Sequence, residues 1–202
     1  MPVARPTALA CETLYDALQN ALVGQAKAAA GTFVFLVLVP GVVAGVVPWS
    51  LTGWRAGDAP AYWLPFRVAG WILVVAGVIV LLQAFARFAV EGLGTPAPVA
   101  PTQRLVVGGL YRYVRNPMYL AVAGVIVGQA LVLARPILLP YAAAYGAAVV
   151  LFVRAYEEPT LRRRFGESYE EYRRAVPAWW PRRTPWRPAG DERRRTNARL
   201  SR

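Results

Sequence analysis

Four stretches of this chain carry no charged residue, and each is long enough to cross a lipid bilayer as a helix. They cover residues 28–54, between Lys27 and Arg55; 68–86, between Arg67 and Arg87; 116–134, between Arg115 and Arg135; and 136–153, between Arg135 and Arg154. About 20 apolar residues cross the hydrocarbon core as a helix. Inside that core every backbone polar group needs an internal partner, so only helices and closed barrels can cross it. None of the four stretches alternates apolar and polar residues as a barrel strand does. The expected fold is therefore all-α: a polytopic membrane bundle of four transmembrane helices.

Charge gives the bundle a direction. The whole chain carries 23 Lys and Arg against 11 Asp and Glu. From Arg154 onward there are 14 Arg and 7 acidic residues, and the 87–115 segment adds Arg87, Arg104, Arg112 and Arg115. The opposite loops hold only Arg55, Arg67, Arg135 and Asp58. Basic loops stay in the cytoplasm, which predicts that both termini and the 87–115 segment face it. Trp49, Trp54, Tyr62 and Trp63 then fall where interfacial aromatics belong. A basic tail beside a membrane meets anionic lipid headgroups, so membrane lipids rather than nucleic acid are the expected partners. The first residues lack the pattern of a cleaved secretory signal.

The organisation expected from this pattern has four parts. Residues 1–27 form a surface segment with an amphipathic helix over 7–23, and residues 28–90 hold the first two spans. Residues 91–181 hold a Pro- and Gly-rich loop at 92–101, a helical hairpin and an amphipathic helix over 160–176, with Leu161, Phe165, Tyr169, Tyr172 and Val176 on one face. Residues 182–202 form a disordered basic tail. Only Ala134, Arg135 and Pro136 separate the third and fourth spans, which forces them into an antiparallel pair with Pro136 in the first turn of the second arm.

That hairpin has a chemical consequence. The segment before the third span reads Gly108-Gly-Leu-Tyr-Arg-Tyr-Val-Arg-Asn-Pro-Met-Tyr119, and the fourth span is followed by Arg154-Ala-Tyr-Glu157-Glu158-Pro159. An antiparallel pair returns Glu157 and Glu158 to the face that holds Asn116. Asn116-Pro117 suits the start of a helix, Asn as cap and Pro as first residue. The same helix start directs free N–H groups and a partial positive charge at an anion. With no histidine and one cysteine, Cys11, the chain has no imidazole base, no internal disulfide and no Cys/His zinc site.

These residues, followed by Arg164-Phe165-Gly166-Glu167-Ser168-Tyr169 and then Tyr172 and Val176-Pro177, resemble the isoprenylcysteine carboxyl methyltransferase family and its bacterial phospholipid-methyltransferase-like relatives, over about residues 100–181. The resemblance implies an integral membrane enzyme that uses S-adenosyl-L-methionine to methylate a lipophilic or lipidated substrate. It places Gln103, Arg104, Leu105, Val106, Tyr111, Asn116, Pro117, Met118, Tyr119 and Glu157 around the cofactor, with Arg154 and Glu158 toward the acceptor. Two positions depart from the family pattern. Asn116 stands where the family has His and cannot titrate, and Val153 stands where eukaryotic members have a substrate-contacting Arg, with Arg154 next to it. Two other classes share parts of this pattern: an NADPH-dependent membrane reductase of the sterol-reductase type, and a non-enzymatic membrane scaffold.

Overall fold

The computed structural model describes residues 38–91 and 105–187 of the chain, and among these every regular element is helical. In order they are α1 (Leu38–Thr52), α2 (Leu64–Glu91, entered through a 3-10 turn at Ala61–Trp63), a 3-10 turn at Gly109–Arg112, α3 (Pro117–Leu133), α4 (Leu138–Phe152), a π-helical turn at Val153–Glu157, and α5 (Glu158–Ala175). The expected 7–23 helix and 92–101 loop lie outside the described residues.

Among the described residues two helices are long and apolar enough to cross a membrane, Ala61–Arg87 and the continuous Leu138–Ala175. The second has 38 residues. At about 1.5 Å per residue it is far longer than the roughly 30 Å hydrocarbon core. Its uncharged part ends at Val153, and Arg154 opens its charged part. The described part of α1 and the 17 residues of α3 are shorter apolar helices. The outer face of α2 exposes Leu64, Phe66, Val68, Trp71, Ile72, Val75 and Ile79. So large an apolar surface is foreign to a water-facing helix.

The bundle is built on α2 against α3, its most extensive helix–helix contact. Small residues make that closeness possible. A Cβ placed on Gly70 would lie 2.7 Å from the Gly128 carbonyl oxygen, and one on Gly128 would lie 2.7 Å from the Gly70 carbonyl. One helical repeat further along, a Cβ on Gly77 would meet the Ala121 carbonyl at 2.8 Å. Membrane helices associate through such small-residue seams because burying apolar area gains little in lipid.

α1 carries a π-helical turn at Val42–Val46, and Pro48 explains what happens there. Proline has no N–H, so the Ala44 carbonyl loses its α-helical donor. The Val47 N–H bonds back to Val42, which leaves Val43 without one. Both carbonyls are met from the neighbouring helices: Gln129 Nε2 of α3 donates to Ala44 at 2.6 Å, and Tyr141 Oη of α4 donates to Val43 at 2.7 Å. Beside them Ile126 and Leu138 are fully buried and anchor the core with Val122, Ala130 and Ala142.

The α3–α4 hairpin forms as expected. α3 ends with Ala134 in the left-handed region (φ 50°), and α4 begins at Leu138, two residues later than the sequence suggested. Pro136 lies in the turn, where its carbonyl accepts from the Leu139 N–H. The predicted amphipathic helix is α5, but it bends at Gly166, whose φ of 52° and ψ of −127° no other residue adopts readily. The bend lays Tyr169, Tyr172 and Val176 into a second buried cluster with Leu161 and Phe165 around it.

The tail requires a correction. Residues 182–187, expected to be disordered, lie beside the segment before α3. Arg182 N donates to Tyr113 O, Trp186 N donates to Arg112 O, and Arg112 Nε returns a bond to Trp186 O at 2.7 Å. The Trp186 ring packs on Tyr172. Trp and Pro in this stretch supply apolar surface that its arginine content concealed. Residues 188–202 lie outside the described residues.

Candidate active site

The antiparallel hairpin brings the start of α3 and the end of α4 to one face, and side chains bridge them. Tyr119 Oη donates to Glu157 Oε2 at 2.9 Å. Arg115 Nη1 pairs with Glu158 Oε1 at 2.8 Å and also donates to Tyr169 Oη at 3.1 Å. Tyr172 Oη donates to the Tyr111 carbonyl at 2.7 Å. The two segments singled out in the sequence are thus joined directly, and the far half of α5 is tied down over them.

These groups surround a cavity of about 600 Å³, within the range typical of small-molecule sites. Its character changes along its length. One end carries Tyr111, Arg115, Asn116, Tyr119, Glu157, Glu158, Tyr169 and Tyr172; the other is walled by Val39, Pro40 and Val43 of α1, Leu81 of α2, Val122 of α3, and Tyr145, Ala148 and Val149 of α4. The polar end holds both signs of charge. The Arg115 and Glu158 side chains are only 12% and 16% exposed. Arg115 Nε is buried with no hydrogen-bond partner among the described residues.

Burial governs the titration of this face. It pushes the Glu157 carboxyl up from its ordinary range; the Tyr119 hydrogen bond pulls it back, Glu158 adds to the rise, and Arg115 opposes it. Burial also holds the Tyr111 phenol well above its usual value, with smaller contributions from Tyr172, Glu157 and Tyr119. The Tyr111 phenol therefore stays neutral in the site.

Of the residues implicated by sequence, Leu105, Val106, Tyr111, Asn116, Pro117, Met118, Tyr119, Glu157 and Glu158 all line this cavity. Gln103 and Arg104 lie outside the described residues. Arg154 requires a correction: it is exposed and does not line the cavity, whereas its neighbour Val153 is buried and does. One residue of helix rotates a side chain by about 100°, so the turn that aims Val153 and Glu157 inward aims Arg154 out. Asn116 also differs from its expected role. It occupies the cap position of α3 with Pro117 after it, but its side chain makes no capping bond. Its Nδ2 donates instead to the Ala178 carbonyl at 3.2 Å, and Arg115 N donates to Pro177 O beside it. The amide ties the C-terminal segment to the edge of the site.

Sequence reasoning missed Arg115 as the cation of the site and Tyr145, Tyr169 and Tyr172 as parts of its wall. Arg115 had been read only as the charge that ends a loop. Its position directly before Asn116-Pro117 was the available signal. The three tyrosines sit on helix faces whose spacing looks like ordinary packing.

Fold and site together define a class: a helical membrane protein whose cavity joins a charged, phenol-lined end to an apolar chamber. Residues 66–168, just over half the chain, match the family model described as phospholipid methyltransferase. The chain belongs to that family of membrane methyltransferases, which includes the isoprenylcysteine-methyltransferase-like proteins. No curated relative and no solved structure matches it.

Proposed function

We propose that this protein is an S-adenosylmethionine-dependent methyltransferase acting on a lipophilic acceptor at the cytoplasmic face of a four-span bundle. The observation that carries this reading is the continuity of the cavity. A zwitterionic cofactor and an apolar acceptor need opposite surroundings within bonding distance of each other, and the polar end and the apolar chamber are one space.

The residues present fit the cofactor. Arg115, with its spare buried Nε, suits a carboxylate, and the start of α3 adds its partial positive charge. Glu157 suits ribose hydroxyls or an ammonium group. The Tyr111 and Tyr119 rings suit a sulfonium through cation–π attraction. When bound, S-adenosylmethionine supplies a methyl group already activated on that sulfonium. The protein's own task is then to hold donor and acceptor in line and to exclude water, and such positioning is worth about 7–11 kcal/mol in good cases. Tyr169 and Tyr172, folded over the site by the bend at Gly166, close its water side. Glu158, paired with Arg115, lines the same cavity and is the carboxylate assigned to the acceptor. A carboxylate acceptor needs no base; an amine acceptor leaves Glu157, Glu158 or solvent to take the proton.

The basic segments support an orientation with both termini and this face on the cytoplasmic side, and the acceptor then enters from the bilayer. The test is transfer of a labelled methyl group from S-adenosylmethionine to the lipid-extractable fraction of membranes containing the protein. Label above that of membranes lacking the protein is expected. Binding of NADPH in place of S-adenosylmethionine would instead identify a membrane reductase, and binding of neither by folded protein would remove the enzyme reading.

A further inference from the structure

Two polar side chains are half-buried between helices of the bundle, and neither lines the cavity: Gln129 of α3 and Tyr141 of α4. Both are spent on α1, through the bonds to the Ala44 and Val43 carbonyls. The same helix supplies Val39, Pro40 and Val43 to the wall of the apolar chamber. Val43 therefore has its side chain in the chamber wall and its carbonyl under the Tyr141 hydroxyl.

We propose that Gln129 and Tyr141 are positioning residues for the lipophilic acceptor, fixing the π-helical turn of α1 and through it the shape of the chamber and the chains it admits. The inference rests on the methyltransferase reading and adds to it the device that sets acceptor selectivity. Three observations carry it. First, the turn has no local substitute for these bonds, because Pro48 supplies no N–H. Second, α1 otherwise meets the bundle through Pro40, Val43, Ala44, Pro48 and Thr52, while Leu38, Val39, Val42, Val46, Trp49 and Leu51 are exposed. Contacts of that kind resist separation but permit sliding, whereas two directed hydrogen bonds fix register. Third, an unpartnered carbonyl in an apolar interior is costly, so losing either donor drives α1 to shift until another partner is found. π-turns are frequent at functional sites for this reason: they re-aim the side chains of one turn.

The experiment compares wild type with Tyr141→Phe, which removes one hydroxyl and keeps the ring, and with Gln129→Leu. Trp63→Phe is the control: it deletes the bond from Trp63 Nε1 to the Leu131 carbonyl, which is no part of the chamber. Two photoreactive amphiphiles, one with a linear hexadecyl chain and one with a branched farnesyl chain, are titrated onto purified protein, and S-adenosylmethionine binding is measured in parallel. The ratio of the two amphiphile dissociation constants is expected to shift by on the order of fivefold in both variants. It stays at the wild-type value in Trp63→Phe, and S-adenosylmethionine binding is unchanged in all three. An unchanged ratio in both variants, or an equal shift in the control, overturns the positioning role and leaves the methyltransferase reading standing. Failure of wild-type protein to bind S-adenosylmethionine overturns that reading, and this inference with it.

Discussion

The hydroxyl of Tyr119 donates to Glu157 Oε2 at 2.9 Å across 38 residues of sequence. One residue opens a helix, the other follows the return helix, and the bond closes the hairpin at its charged end. Glu157 is held in a site where burial opposes its charge, and the Tyr119 hydrogen bond offsets part of that cost.

That cost has a sign. A carboxyl whose folded pKa is raised binds its proton more tightly in the folded state than in the unfolded one, so its ionisation erodes stability as pH rises through the carboxylate range and above. Glu157→Gln removes this effect and keeps an acceptor for Tyr119. The variant is expected to melt no lower than wild type at neutral pH and to lose less stability between acid and neutral pH. Its affinity for S-adenosylmethionine should fall by on the order of tenfold, as for loss of one charged hydrogen bond. In wild type, cofactor affinity should weaken on acidification at a pH above the ordinary carboxylate range. Thermal melts and cofactor titrations across pH check both.

Arg115 and Arg154 should behave in opposite ways. Removing one member of a buried ion pair strands the other, which costs about 3–5 kcal/mol when burial is complete. With both partners slightly exposed, Arg115→Ala should cost about 3 kcal/mol, the low end of that range, and Glu158→Gln less, since an amide oxygen still accepts. Arg154→Ala touches nothing in the cavity and should leave stability and cofactor binding within error. Denaturation in detergent and cofactor titration separate the two arginines.

The α2–α3 seam predicts a contrast between glycines. A methyl on Gly70 or Gly128 would press on the facing backbone, so Gly70→Ala and Gly128→Ala should each cost about 1–3 kcal/mol. Gly124 has open space where its Cβ would stand, and Gly124→Ala should be neutral or slightly stabilising. Melting temperatures of the three variants decide it.

Gly166 tests the cover of the site. A Cβ there meets no atom within 4 Å, so any effect of Gly166→Ala comes from its backbone angles, a strain of about 1–3 kcal/mol. Straightening of α5 would withdraw Tyr169 and Tyr172. Faster hydrogen exchange is expected in residues 167–187, with no change in α2 or α3.

The sequence made the hairpin legible because uncharged length and a three-residue link leave few topologies. It made the meeting of Tyr119 with Glu157 legible for the same reason. Arg154 was assigned by proximity to an expected position, and only the phase of the helix shows that it faces outward. Asn116 was read as a cap from local preference, but a backbone carbonyl 62 residues away claims its amide. The hydrogen bonds to α1 were hidden differently. Pro48 announces a missing donor, but nothing local says that Gln129 and Tyr141 supply the replacements. Residues 182–187 look disordered by composition because the groups they bond, at Arg112 and Tyr113, are distant in sequence.

The central claim is that the face joining Tyr119 to Glu157 binds a methyl donor. Equilibrium binding of S-adenosylmethionine to purified wild-type protein, beside Glu157→Gln, Tyr119→Phe and Arg154→Ala, tests it most directly. Saturable binding by wild type and Arg154→Ala, weakened in Glu157→Gln and Tyr119→Phe, is the expected result. Absence of binding by folded wild-type protein, or binding indifferent to Glu157 and Tyr119, would contradict it.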